Sequence, residues 1–437
     1  MKVEPTVTVI IPTYNRSISL QRTLDALCAQ TYPLQQVEII VVTDGCTDGT
    51  AEMLCHYEAP FTLRVIEQLN QGPSVARNQG AAQARGRLLI FLDDDIESAP
   101  SLIEAHVRAH ARQPDRVVIG YLPPVIQEPT DFFRTGLWVW LEAMFQPMRK
   151  PGHRYGYWNL LSGNFSLEAE LFARVGGFDP ALRCHEDYEL GVRLIKAGAS
   201  LTFAADALGY HHETSDLNRS LQRKYQEGRA DVMIGRRYPE LCPSMPLAHF
   251  WEPWSSLSRR LRFLAFAWPE GGDRLAASLR CTLDILEWMR LRSRWRRRLD
   301  ELLDYWYWRG VAEELGTRRE LASFLQYGLV RADESVHEIE LDLREGLEAA
   351  ERRLDKERPA GTRIRYGPWP VGRIPSQPGA ERLRGAHLRP ILATDLAWPL
   401  LRALALEGAA GKAIDADRLF AESSVQSSET VYANENT

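Results

Sequence analysis

Residues 87–100, RLLIFLDDDIESAP, carry an arginine, five apolar residues that read as a buried strand, and then three consecutive aspartates, Asp93, Asp94 and Asp95. Two unit charges about 6 Å apart repel by roughly 3 kcal/mol at an effective dielectric near 20, and far less in bulk water. Such a cluster is stable as an acidic turn in open solvent or at a site that brings a cation, and its place in the chain decides between the two. Around it, as far as about residue 204, short β-branched runs alternate with helical stretches, the pattern of crossover units that build a mainly parallel sheet. VTVII (residues 7–11) is the first strand, and a helix follows over residues 17–29, with Ile18, Leu20, Leu24, Leu27 and Cys28 close to helical spacing. VEIIVV is the second strand; it runs into DGCTDGT, whose Asp-Gly pairs form a turn and whose Asp48 or Thr50 can cap the next helix. TLRVIE is the third, residues 72–84 form a helix opened by Pro73, and RLLIFL is the fourth. PTYN, TDG and DDD then all fall at the carboxyl ends of strands, the edge at which open α/β sheets bind ligands.

A chain of 437 residues is too long for one ordinary core. We divide it into an α/β domain over 1–240, a helical region rich in arginine and tryptophan over 241–357, and a linker, short helix and loose polar tail over 358–437. The net charge of -5 argues against a nucleic-acid partner. The apolar runs are strand-sized and the first residues lack a signal-peptide core, so the sequence reads as cytoplasmic. Six cysteines without a C-x-x-C pair suit a reducing compartment. Tryptophans at helical spacing read as core; a peripheral contact with the inner face of a membrane is the alternative reading of that region. Neither a P-loop nor a G-x-G-x-x-G occurs at a strand end.

The order of motifs resembles the family 2 glycosyltransferases of the GT-A fold. The matching residues are Pro12, Tyr14 and Asn15; Asp44, Gly45 and TDGT; Gly72, Ala76, Arg77, Asn78 and Gly80; Asp93 and Asp95; Gly176, Gly177 and Phe178; and Glu186 with Asp187. The match covers about the first 240 residues. The resemblance implies a GT-A type, Rossmann-like, mainly parallel sheet flanked by helices, followed by a mainly α-helical C-terminal region. It also implies transfer of a sugar, with inversion, from a nucleotide-diphosphate donor (a UDP-sugar favoured) to a saccharide, lipid-linked or other hydroxyl acceptor.

Each piece then has a job. The leaving diphosphate concentrates negative charge that a divalent cation on hard oxygen ligands neutralises. Asp95 is the expected ligand of Mn2+ or Mg2+, with Asp93 on the ribose hydroxyls or the metal's water shell. Asp94 points the other way along an extended backbone. By resemblance, Pro12, Thr13, Tyr14, Asn15 and the Asp44 carboxylate line the nucleotide slot, with Arg77 nearby. The same resemblance makes Asp187 the general base, with Glu186 as its alternative, and puts His211 or, second, His212 on the metal. Gly163 and Asn164 are expected to approach the donor sugar or the acceptor, since glycine permits close backbone contact. Cys46 stands where the family usually has a small hydroxyl, and LQRKYQEGR only loosely matches the Q-x-x-R-W of processive synthases, which favours a single transfer. The rival readings are a degenerate scaffold that binds sugar nucleotide or protein, a nucleotidyltransferase, and a zinc site from Cys184, His185, His211 and His212.

Overall fold

The computed structural model describes residues 6–111, 115–125, 131–334 and 337–410. One eight-stranded sheet organises the first part of the chain. Its strands are β1 (Val7–Thr13), β2 (Val37–Asp44), β3 (Thr62–Gln68), β4 (Leu88–Leu92), β5 (Ile96–Ser98), β6 (Arg116–Tyr121), β7 (Asn164–Glu168) and β8 (Ser200–His211), in the spatial order β3-β2-β1-β4-β7-β6-β8-β5. β3, β2, β1 and β4 are parallel, β7 runs antiparallel to both β4 and β6, and β6 and β8 are parallel again. Every residue of β1, β2 and β4 is buried, which is why they read as unbroken apolar runs rather than alternating ones. The sheet is thus the expected mainly parallel one, with β7 reversed in its middle.

The connections supply α1 (Ser17–Cys28), α2 (Thr50–His56), α3 (Pro73–Gln83), α4 (Leu102–His110), α5 (Phe132–Phe145), α6 (Ala169–Val175) and α7 (Glu186–Lys196). α3 starts as its sequence dictates: Gly72, at φ 96°, turns the chain, and Pro73 takes the first helical position. Beyond β8 come α8 (Leu217–Arg237), α9 (Ser256–Ala267), α10 (Pro269–Trp288), α11 (Arg292–Leu315) and α12 (Arg318–Glu334). Trp295 and Trp308 are buried among them, as tryptophans at helical spacing should be, while Trp268 and Trp288 stand exposed. No helix among the described residues is long and apolar enough to cross a membrane.

α8 and α11 cross in close contact through two glycines. A side chain on Gly228 would collide with the carbonyl oxygen of Tyr307, and one on Gly310 with that of Tyr225. These helices share a core with Leu182 and Val192 from around α7, so residue 240 is not a boundary of packing. Among the described residues, one compact unit runs instead to residue 334 and includes Pro378–Glu381; the other comprises 337–377 and 382–410.

The second unit differs from the expected helix, linker and tail. It holds a three-stranded sheet of β9 (Glu338–Asp342), β10 (Gly361–Tyr366) and β11 (Trp369–Ile374), with α13 (Leu347–Glu357), α14 (Gly385–Ala393) and α15 (Ala397–Ala409). Ile339 and Leu341 alternate inward on β9, and with Ile364, Val371 and Ile374 they form a core of their own. Charged residues between them, such as Glu340 and Arg365 paired at 2.6 Å, hid the strand pattern. The polar tail after residue 410 lies outside the described residues.

Candidate active site

The carboxyl ends of β1, β2 and β4 open on a cleft of about 310 Å³, lined by Thr13, Tyr14, Asp44, Asp93, Asp94 and Asp95 among others. An adjoining compartment of about 480 Å³ brings in Gly163, Glu186 and Asp187 and shares Arg77, Asp93, His211, Glu213 and Arg223 with the first. Residues from opposite ends of a 200-residue span of sequence thus meet in one place.

The three aspartates have three different settings. Asp93 accepts from Arg77 Nη2 at 2.7 Å, and Arg77 Nη1 reaches Glu186 at 3.0 Å. Arg77 is buried, and although desolvation opposes its charge, Asp93 and Glu186 hold its pKa above the ordinary value. Asp94 turns toward β1, accepting from Thr13 Oγ1 at 2.7 Å and from Arg16 Nη1 at 3.2 Å; burial pushes it up to about 7 against the pull of Arg16. Asp95 Oδ2 accepts from the same Arg16 nitrogen at 2.5 Å. Burial works against its charge, yet the His211 ring and Arg16 hold Asp95 below the usual carboxylate range.

Asp95 Oδ1 is buried and has no hydrogen-bond partner. It faces His211 Nε2 at 3.6 Å, and that nitrogen lies 3.9 Å from Glu213 Oε2. An orphaned carboxylate oxygen beside an imidazole and a second carboxylate is a donor set that suits a divalent ion, and the imidazole favours Mn2+ over Mg2+. His211, not His212, faces this point: the His212 ring is held by Glu97 at 2.7 Å. The rival zinc set does not assemble. Among the described residues, the one cluster of three metal-capable side chains is Cys184, His185 and Glu227, and Glu227 is already bound by Lys224 at 2.6 Å.

Asp187 sits in the first turn of α7, just after His185, whose backbone is left-handed at φ 57°. Its Oδ2 accepts from the Ser162 N–H at 3.2 Å and its Oδ1 from the Tyr188 N–H at 2.9 Å. Burial first, and then the neighbouring Glu186 charge, raise Asp187 to about 6, with His185 opposing. The helix terminus, which would by itself lower the pKa, is outweighed.

Several expected contacts are used within the protein. Asp44 accepts from Gln68 Nε2 at 2.7 Å, the Gln71 N–H at 2.7 Å and the Gly72 N–H at 2.8 Å, so it shapes the slot wall ahead of α3. Asn15, at φ 52°, accepts from the Thr47 N–H at 2.7 Å and ties two loops together. Cys46 fills the hydroxyl's place: its thiol accepts from the Asn15 N–H at 3.4 Å and donates to Thr13 O at 3.6 Å. Gly163 does lie at the site; a side chain there would come within 3.1 Å of Asp93 Oδ2. Asn164 does not line the cleft. It is the first residue of β7, and its side chain is fully buried, bonded to His106 Nε2 and Ala207 O, both at 2.9 Å. Adjacent strand residues face opposite ways, so Gly163 and Asn164 could not both reach a ligand. Sequence reasoning passed over Arg16, Glu213 and Arg223, which line the cleft beside PTYN, His211 and LQRKYQEGR respectively.

A sequence model described as glycosyl transferase family 2 matches residues 8–176, and one described as the N-terminal domain of galactosyltransferase matches 142–215. The validoxylamine A glucosyltransferase of Streptomyces hygroscopicus subsp. jinggangensis is 31% identical over 324 residues, covering 64% of this chain and 73% of that protein. Glycosyltransferase AglE of Haloferax volcanii is 28% identical over 245 residues, 53% of this chain and 74% of its own. Among solved structures, a mannosyltransferase of Pyrobaculum calidifontis in complex with GDP-Man and Mn2+ aligns at 20% identity over 72% of this chain and 88% of that one, with a TM-score of 0.48.

Proposed function

The chain belongs to glycosyltransferase family 2, and on that footing we propose that it moves one sugar from a nucleotide-diphosphate donor to an acceptor hydroxyl with inversion at the sugar carbon, in a metal-dependent reaction. The observation that carries this reading is the Arg77 bridge. It ties the acidic end of β4 to the start of α7, so the groups suited to a diphosphate and the carboxylate suited to an acceptor share one cleft.

In this reading Thr13, Tyr14 and the loop held by Asp44 form the nucleotide slot, with a UDP-sugar as the favoured donor. Asp95, with His211 and Glu213, would hold Mn2+ or Mg2+, which when bound neutralises charge on the leaving diphosphate. Arg223, which lines both compartments, adds positive charge beside them. Asp187, held by two backbone N–H groups and poised at about 6, takes the proton from the acceptor hydroxyl as that oxygen attacks the sugar carbon from the face opposite the diphosphate. A single displacement, with no protein nucleophile assigned on the face opposite the diphosphate, gives inversion.

The second compartment is the acceptor's. Trp140, Leu141 and Met144 from α5 give it an apolar wall, and Gln222 and Gln226 from α8 a polar one, a combination that suits a saccharide ring. If the acceptor is lipid-linked, the exposed Trp268 and Trp288 are the groups that would meet the membrane surface. A glucosyl donor is the first to test, because the validoxylamine A glucosyltransferase is the relative at 31% identity. The test is slow release of nucleoside diphosphate from a panel of nucleotide sugars with Mn2+. Turnover lost in Asp95→Ala supports the enzyme; binding of donor without turnover across the whole donor and acceptor panel would make the protein a scaffold.

A further inference from the structure

We propose that Arg16 is the resident counter-cation of the acidic strand end: its guanidinium offsets part of the charge of Asp94 and Asp95 while no divalent ion is bound, so that metal loading is an exchange of cations. The inference rests on the reading of Asp95 as a metal ligand. Asp94 and Asp95 are adjacent in sequence and only 6% and 8% exposed, so their charges repel in a setting that water screens poorly. A single nitrogen serves both, with Arg16 Nη1 at 2.5 Å from Asp95 Oδ2 and 3.2 Å from Asp94 Oδ1.

Two features make Arg16 a displaceable ion. Its contacts with the carboxylates all run through Nη1, unlike the two-point grip of a structural arginine, and its side chain is 36% exposed, so it can turn outward into water. Its backbone lies just ahead of α1 at φ -138°, outside the helix, so the side chain is free of helical rotamer limits. An ion seated on Asp95 Oδ1 would lie a few ångströms from the guanidinium, and two cations that close on one carboxylate repel. Arg16 therefore offsets part of the negative charge at this strand end when metal is absent.

The test is Mn2+ binding without nucleotide, followed by the electron paramagnetic resonance of free Mn2+, in the full chain and in Arg16→Gln and Asp95→Asn. Arg16→Gln is expected to bind Mn2+ about tenfold more tightly, the factor that corresponds to 1.4 kcal/mol of removed competition. It should also melt lower than the wild type in chelator and regain the difference with Mn2+. Equal or weaker binding by Arg16→Gln, with binding lost in Asp95→Asn, overturns the exchange. Unchanged binding by Asp95→Asn instead removes the metal-ligand reading beneath it. Should Arg16→Gln fail to fold, phenylglyoxal labelling of the wild type, read by peptide mass spectrometry, decides the matter. Labelling of Arg16 that rises with Mn2+ supports release, and labelling that is unchanged or falls refutes it.

Discussion

Arg77 and Glu186 lie 109 residues apart in sequence and 3.0 Å apart in the folded chain, with Asp93 on the other arm of the same guanidinium. The bridge is a brace under the cleft floor. Arg77→Met keeps the volume but leaves Asp93 and Glu186 facing each other without a cation. A loss of about 3 kcal/mol is expected from breaking such a buried pair, visible as a lower denaturation midpoint. Turnover should fall further than stability explains, because the two halves of the site lose their register.

Asp187 accepts a proton only when ionised. With its pKa near 6, kcat/KM should fall about tenfold per unit as pH drops below 6 and level off above it. Asp187→Asn should cost about 10²–10⁴ in turnover while donor binding, measured by calorimetry, persists. The stability effect has the opposite sense. The folded state holds this proton more tightly than the unfolded chain does, so ionisation across pH 4 to 6 weakens the fold, and Asp187→Asn should melt at or above the wild-type temperature at pH 7.5.

Asp44 grips Gln68, Gln71 and Gly72 with two oxygens. Asp44→Ala frees the turn into α3, and each charged hydrogen bond lost is worth about 1.5–3 kcal/mol. The expected outcome is at least a tenfold weaker Kd for nucleoside diphosphate by titration calorimetry, with Mn2+ affinity little changed because Asp95 is untouched.

At the α8 and α11 crossing, Gly310→Ala meets backbone rather than a movable side chain. Overpacking of this kind costs about 1–3 kcal/mol, to be read from chemical denaturation. Gly49→Ala is the control: nothing lies within 4 Å of the added carbon, and its stability should stay within about 0.5 kcal/mol of wild type.

How far the sequence carried the structure depended on which signals are local. β1, β2 and β4 were legible because full burial writes continuous apolar runs, and the carboxyl ends of β2 and β4 placed Asp93, Asp94 and Asp95 with Asp44 at one edge. Asp187 was legible through a family motif, and the structure brings it into the adjoining compartment. Arg16 was overlooked because an arginine before a helix reads as solvated until its partners, 78 and 79 residues away, are known. Asn164 was misplaced by one residue of strand parity, and β9 to β11 were hidden by charged side chains that pair across a small open sheet. Long-range pairing and facing are the properties that one-dimensional periodicity does not encode.

The tight glycine crossing has a consequence for how such a protein diversifies. α8 presents Gln222 and Arg223 to the cleft and rests at Gly228 on a fulcrum set by α11, so the tilt of that wall is governed by helices that never touch the reacting atoms. Small shifts in the distant helical scaffold would therefore move Gln222 and Arg223 together, so a change that reshapes the second compartment is also felt by the cation it shares with the first.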